Sequence, residues 1–245
     1  MVPITLLGVK IAAKTREEIR SQLVEFLHSA GLKQIATVNP EFLVTADRDK
    51  EFKNILSSVA LAVPDGSGII YLAKLTRQKI SLAHRFTGVD LTHDLLQLAE
   101  AEQKSVEIIL PSDSLSTKEE IYTSIVKLYS KAIVRIFRED EVKEGSPRAD
   151  IVLVALGAPE QEKWIWNHRE TLLGTKIALG VGGTFDFISG KIQRAPIILR
   201  SVGLEWLWRL YQEPRRRFRR IVRAVVVFPW LVLRETLNHR NSHPE

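Results

Sequence analysis

Apolar residues along this chain alternate between two patterns. Short continuous runs fall at 34–38, 60–63, 106–110, 133–137, 150–156 and 176–179, and each reads as a strand. Between them the apolar positions recur every three or four residues, the period of a helix with one buried face. Ile19, Leu23, Phe26 and Leu27 follow the capping pattern Thr15-Arg16-Glu17-Glu18, and Gly31 closes that helix. The spacing predicts one helix from Pro40 carrying Phe42, Leu43, Ala46, Phe52, Ile55 and Leu56, and another starting at Ile69. Further helices are predicted over 91–103 and 116–131, and from about Pro159 to Leu173. Residues 4–11 read as a strand or hairpin arm, 76–90 as a basic polar connection, and 138–149 as a charged loop. The run from Ile151 to Leu156 is wholly apolar, as in a central parallel strand buried on both faces. This alternation predicts an α/β fold: a Rossmann-like, mostly parallel sheet with helices on both faces.

The pattern changes after about residue 200. Trp206, Leu207, Leu210 and Tyr211 form an apolar stripe that Glu213-Pro214 interrupts, and Arg215 to Arg223 then places arginines nearly all round a helix. An apolar run from Ala224 to Leu233 follows, with Pro229 expected to break it. It is too short to cross a bilayer, which takes roughly 20 residues. The 245-residue chain has a net charge of +6, and residues 200–245 hold ten arginines and four glutamates, so the whole excess lies there. The expected division is an α/β catalytic domain over 1–199 and a basic, partly apolar C-terminal helical appendage over 200–245. Arginines beside Phe228 and Trp230 favour attachment to an anionic membrane surface over a helix that merely covers the core. Nucleic acid is not an expected partner, because the rest of the chain offers no excess positive charge and no binding motif. The remaining composition, 45% hydrophobic and 26% charged, is that of an ordinary globular protein. The absence of cysteine excludes disulfides and thiolate metal sites. The N-terminal residues lack the charged and apolar regions of a signal peptide.

Candidate chemistry lies in two polar islands at strand ends, Thr37-Val38-Asn39-Pro40 and Pro64-Asp65-Gly66-Ser67-Gly68. Open α/β sheets bind ligands at the carboxyl ends of their strands. Asp65, followed by two glycines, is a candidate general base there, with Thr37 and Asn39 beside it. The competing reading makes Asn39 and Asp65 ordinary turn or N-cap residues. The turn Gly180-Val181-Gly182-Gly183-Thr184-Phe185-Asp186 resembles a phosphate cradle, but it matches neither the dinucleotide fingerprint nor the P-loop. Gln161 and Glu162, after another strand end, either line the same cleft or are plain first-turn helix residues. Asp47-Arg48-Asp49 imitates a metal-binding pair, yet residues two apart on a helix do not face each other. The histidines show no ligand spacing, and His168 reads as a surface residue, so no metal and no other cofactor is expected.

Taken in order, several blocks resemble the WecG/TagA/CpsF glycosyltransferases. They are Thr37-Val38-Asn39-Pro40-Glu41, Pro64-Asp65-Gly66-Ser67-Gly68, Arg85-Phe86-Thr87-Gly88-Val89-Asp90, 156–162, 180–186, Arg194-Ala195-Pro196, 203–210 and 212–216. The resemblance covers about residues 5–223. It implies an inverting, metal-independent enzyme that moves a sugar from a UDP-sugar donor to a polyprenyl-diphosphate-linked N-acetylglucosamine, working at the cytoplasmic face of a bacterial plasma membrane. N-acetylmannosamine, for wall teichoic acid, is the expected sugar; N-acetylmannosaminuronic acid or glucose for another polysaccharide is the alternative. A non-catalytic membrane-surface module is a rival of another class, and a homo-oligomer is left open. Carried onto this chain, the resemblance assigns Asp65 as base and Thr37 and Asn39 as sugar-orienting residues. Arg85, Gly157, Gln161, Gly182, Gly183, Asp186, Arg215, Arg220 and Arg223 are the expected substrate-binding residues. The chain departs from the family pattern at Leu110-Pro111-Ser112-Asp113 and in the segment up to Asp150. Those departures bear on nucleotide or oligomer contacts rather than on the chemistry at Asp65.

Overall fold

The structure, a computed structural model, describes residues 3–76, 80–142 and 148–242, apart from the side chains of 216, 217, 219 and 238–242. Residues 143–147, within the loop expected at 138–149, lie outside the described residues, as do the side chains of Arg216, Arg217, Arg219 and Arg240.

The chain opens with an antiparallel hairpin, β1 (Ile4–Leu6) and β2 (Val9–Ile11), whose turn places Gly8 at φ 78°. Helix α1 (Arg16–His28) starts with the expected capping box between Thr15 and Glu18. Strand β3 (Lys33–Val38), helices α2 (Pro40–Arg48) and α3 (Lys50–Ser58), strand β4 (Leu61–Pro64) and helix α4 (Ser67–Leu75) follow. Next come α5 (Gly88–Ala101), β5 (Ser105–Leu110), α6 (Lys118–Leu128) and β6 (Ile133–Arg138). The last α/β units are β7 (Ile151–Val154), α7 (Glu160–His168), β8 (Ile177–Gly180) and α8 (Thr184–Ile188). Strands β3 to β8 form one parallel sheet in the order β4-β3-β8-β7-β5-β6.

Strand alternation sends successive side chains to opposite faces. Ile151 and Leu153 pack with α1, α5 and α6 residues such as Leu23, Leu95 and Ile121, while Val152 and Val154 pack with Ile165 of α7. Ala36, Val38 and Ala62 face a further cluster built from the hairpin, α2, α3 and α4. Both faces of the sheet are therefore covered, as the apolar runs required.

Three local expectations are corrected. The helix expected from Pro40 to Leu56 is broken at Asp49, which leaves helical geometry (φ −113°, ψ 99°) and caps α3 by accepting from the Phe52 amide at 3.0 Å. The helix expected to reach Leu173 stops at His168, where the His168 carbonyl accepts from the Thr171 and Leu172 amides. Pro229 does not break the tail. Helices α9 (Ile197–Ser201), α10 (Glu205–Gln212) and α11 (Pro214–Val222) lead into a π-helical turn over Arg223–Val227, and Pro229 lies in the first turn of α12 (Phe228–Ser242). The helical run continues through Pro229, which lacks one donor, and the widened turn before it, where the Phe228 amide donates to the Arg223 carbonyl, relieves the ring's clash. The expected interruption at Glu213-Pro214 is present, with Glu213 outside helical geometry (φ −132°, ψ 60°).

The tail docks through a few residues. Phe228, Leu231 and Val232 are buried in the hairpin–α2–α4 cluster, whereas Phe218, Val225, Val226, Trp230, Leu233 and Leu237 are exposed. One side of the tail thus covers core, as the competing reading had it, and these apolar residues of the other side are uncovered. Among the described residues no helix is long and apolar enough to cross a membrane.

Candidate active site

The parallel sheet dictates where chemistry can gather. β3 and β4 end side by side, Val38 opposite Pro64, and the Asp65 amide donates to the Val38 carbonyl at 2.7 Å. Gly66 then takes φ 86°, a left-handed conformation that glycine adopts without strain, and releases the chain into α4. Gly68 is needed for another reason, since a Cβ there would lie 2.8 Å from the Pro40 ring. This double turn leaves Asp65 facing a cleft of about 450 Å³. Asn39, Glu41, Arg85 and Thr87 line it from the sheet side; Glu205, Trp206, Arg209, Arg220, Ile221 and Val225 line it from the tail.

Asp65 opens only partly to this cleft, and burial pushes its carboxyl up to about 7. Arg209 and Arg85 act against that rise, while the charges of Glu205 and Asp90 add to it. Protein on most sides and charges of both signs around it leave the group balanced near neutrality, as a general base requires.

Glu205 is the hub of the cationic side. Its carboxylate, almost fully buried in the first turn of α10, lies 3.5 Å from Arg209, 3.9 Å from Arg85 and 4.0 Å from Arg194. Arg194 also reaches the α5 N-terminus, donating to Asp90 at 2.8 Å and to Thr87 at 3.1 Å. Burial alone would raise the Asp90 carboxyl, but Arg194 and the Thr87 hydrogen bonds hold it below its ordinary value. Opposite, Arg220 and Arg223 pair with Glu41 at 2.5 and 3.7 Å, which pulls the tail over the cleft mouth. The turn that starts the tail is pinned to α4. Ser67 donates to the Gly203 carbonyl at 2.6 Å, and the Tyr71 hydroxyl to that of Val202 at 3.2 Å.

The expected site residues form two groups, with Thr37 and Arg215 in neither. Asn39, Asp65, Arg85 and Arg220 meet in the cleft, and Arg223 joins them through Glu41. Asn39 is at the same time the N-cap of α2, accepting from the Glu41 and Phe42 amides at 2.9 and 3.1 Å. Thr37 is buried one residue inside β3, outside the cleft lining, and Arg215 is exposed. Gly157, Gln161, Gly182, Gly183 and Asp186 gather separately, beyond the ends of β7 and β8. There the Gln161 oxygen accepts from the Gly157 amide at 3.1 Å and the Gly182 amide at 2.9 Å, so both N–H groups are engaged within the protein. Asp186 accepts from the buried Ser116 hydroxyl at 2.8 Å. Asp49, of the acidic pair at 47–49, ion-pairs with Lys163 at 2.8 Å. Among the described residues no group of three or more His, Asp or Glu side chains is placed to hold a metal ion.

Sequence reasoning missed Glu41, Arg194, Glu205 and Arg209 as site residues. The spacing of Glu205 and Arg209, one helical turn apart, was a visible signal. Their approach to Arg85 is purely tertiary.

A parallel α/β sheet with a carboxylate raised to about 7 and converging arginines at its carboxyl edge is suited to anionic ligands and to proton transfer. The family described as Glycosyl transferase WecG/TagA/CpsF matches residues 4–242, and the chain belongs to it; the protein is a glycosyltransferase. It is similar to the N-acetylglucosaminyldiphosphoundecaprenol N-acetyl-beta-D-mannosaminyltransferase of Bacillus subtilis (strain 168), 33% identical over 86% of this chain and 83% of that one. The protein of the same name from Bacillus spizizenii (strain ATCC 23059 / NRRL B-14472 / W23) is 33% identical over 74% and 72% of the two chains. That of Staphylococcus aureus (strain MRSA252) is 25% identical over 87% and 86%.

Proposed function

We propose that the protein transfers N-acetylmannosamine from UDP-N-acetylmannosamine to a polyprenyl-diphosphate-linked N-acetylglucosamine, in wall teichoic acid synthesis at the inner face of the bacterial plasma membrane. The observation that carries this reading is Asp65, raised to about 7 and facing a cleft whose opposite wall is cationic. The relatives' names supply the acceptor and the sugar.

Asp65 takes the proton from an acceptor hydroxyl as that oxygen attacks the donor's anomeric carbon. The new C–O bond forms on the face opposite the breaking bond to the diphosphate, so configuration inverts and UDP leaves with the electron pair. Arg85 and Arg209, with Arg220 and Arg223 at the mouth and Arg215 in the same tail, meet the charge on the departing diphosphate in place of a bound cation. Asn39 and Thr37 orient the sugars, Asn39 from the cleft wall and Thr37 from the strand behind it. Gly157, Gln161, Gly182, Gly183 and Asp186 form the nucleotide side. The exposed residues Val225, Val226, Trp230 and Leu233 lie in the membrane interface, with the tail arginines against anionic headgroups.

The test is incubation with UDP-N-acetylmannosamine and a lipid-diphosphate N-acetylglucosamine analogue, in EDTA and in its absence. UDP release with a β-linked disaccharide, equal in both conditions, is expected. Release only from UDP-N-acetylmannosaminuronic acid or UDP-glucose would transfer the assignment to that donor, and dependence on added metal would overturn the arginine role.

A further inference from the structure

Away from the base, one fully buried carboxyl is not used by the chemistry above. Glu162 lies in the first turn of α7, beneath the ends of β7 and β8, with 0% of its surface accessible. Its Oε1 accepts from the Gln161 amide nitrogen at 2.7 Å, and its Oε2 has no hydrogen-bond partner. Its backbone carbonyl accepts from Gln34 of β3 at 3.2 Å. The neighbouring strand leaves room for this pair: a Cβ on Gly180 would stand 2.4 Å from both the Gln161 nitrogen and the Glu162 oxygen. Gly180, read from sequence as part of a phosphate cradle, is thus a packing glycine.

We propose that Gln161 and Glu162 are a positioning pair: the Gln161 oxygen ties together the loops after β7 and β8, and Glu162 fixes which way that amide points. The single oxygen uses both of its lone pairs, on Gly157 and Gly182. If the amide turned over, its NH2 would face two N–H donors, and both loops would lose their tie. Glu162 prevents this by offering an acceptor on the nitrogen's side. Burial pushes the Glu162 carboxyl up to about 8, so at neutral pH it is held uncharged and the arrangement needs no counter-ion. Gly157 and Gly182 both have positive φ, 83° and 53°, and the tie holds these two turns at one spacing. Glu162, fully buried, acts through the loops rather than on the substrate. Its effect on the donor rests on the reading that the UDP moiety lies over these loops.

The experiment compares wild type with Glu162→Met, Gln161→Leu and the conservative Glu162→Gln, in which the new side chain still accepts from Gln161. Amide exchange at Gly157 and Gly182 and calorimetric affinity for UDP are measured at pH 7, with thermal melting as a check of folding. Glu162→Met and Gln161→Leu should speed exchange at both glycines and weaken UDP binding about tenfold, the worth of one lost hydrogen bond near 1.4 kcal/mol. Glu162→Gln should match wild type in both. Unchanged exchange in folded Glu162→Met overturns the pair, and so does a Glu162→Gln protein that behaves like Glu162→Met. Faster exchange with unchanged UDP affinity overturns instead the placement of the donor over these loops. A wild type that binds no UDP removes the donor reading, and exchange then decides the pair alone.

Discussion

The Glu205 carboxylate lies 3.9 Å from the Arg85 guanidinium, joining a residue of the tail to one that precedes α5 at the wall of the Asp65 cleft. Burial dominates the rise of the Asp65 carboxyl, and the charges of the tail modulate it from outside the sheet. Glu205 raises the Asp65 carboxyl, and Arg209, one turn further along the same helix, lowers it.

The pH–rate profile should report this directly. A base is active when deprotonated, so kcat/KM should rise with pH through about 7, the value to which Asp65 is raised. Glu205→Gln removes a charge that raises it and should move the rising limb to lower pH. Arg209→Met should move it to higher pH. Coincident profiles for all three proteins would show that Asp65 does not control the limb.

Replacing the base separates chemistry from stability. Asp65→Asn should lower kcat by about 10²–10⁴-fold, the usual contribution of a positioned base. Between the ordinary value of 3.8 and the folded value of about 7, wild type progressively loses stability relative to the variant, because the unfolded chain ionises there and the folded chain does not. At pH 7 the inactive variant should therefore melt above wild type. An active Asp65→Asn enzyme would remove the assignment.

Glu162 supplies a second pH test, independent of turnover. Its carboxyl is raised from 4.5 to about 8, so wild type should lose stability relative to Glu162→Gln as pH rises from 4.5 to 8, with no further change above. Melting curves across that range check it; a constant difference would mean that Glu162 titrates normally.

The two aromatic residues at the start of α12 should behave oppositely. Phe228 is 0% exposed, and truncation to alanine should cost about 3–5 kcal/mol of packing and cavity energy. Trp230 is 58% exposed, and Trp230→Ala should leave the melting temperature nearly unchanged while reducing sedimentation with anionic liposomes. Equal liposome binding would remove the interfacial role of this face.

Arg220 tests whether the tail arginines serve structure or substrate. Its pair with Glu41 is 47% exposed on the arginine side, so Arg220→Ala should cost less than about 1 kcal/mol of stability. A much larger fall in kcat/KM for the donor is expected, read against the small change in melting.

The parallel sheet and the strand-end position of Asp65 were legible because burial on both faces leaves near-continuous apolar runs. The break at Asp49 was not, since Phe42, Ala46, Phe52 and Ile55 keep helical spacing across it and only the 3.0 Å cap bond to Phe52 marks the stop. Pro229 misled for a related reason: a proline disrupts an ordinary helix interior, and the wide turn that accommodates it here has no sequence signature. In the site, Gln161 was found as a residue near the strand ends, but its engagement with Gly157 and Gly182 depends on two loops meeting. Glu205 and Arg194 escaped notice because their value lies in distances to elements more than a hundred residues earlier.

The residues from Ile221 to Pro229 contribute both an inner wall of the cleft and exposed apolar surface such as Val225. If the acceptor is lipid-borne, as proposed, this one stretch of helix meets its hydrocarbon on the outer side and its charged head on the inner, so loosening the stretch should weaken the lipid acceptor more than the water-borne donor.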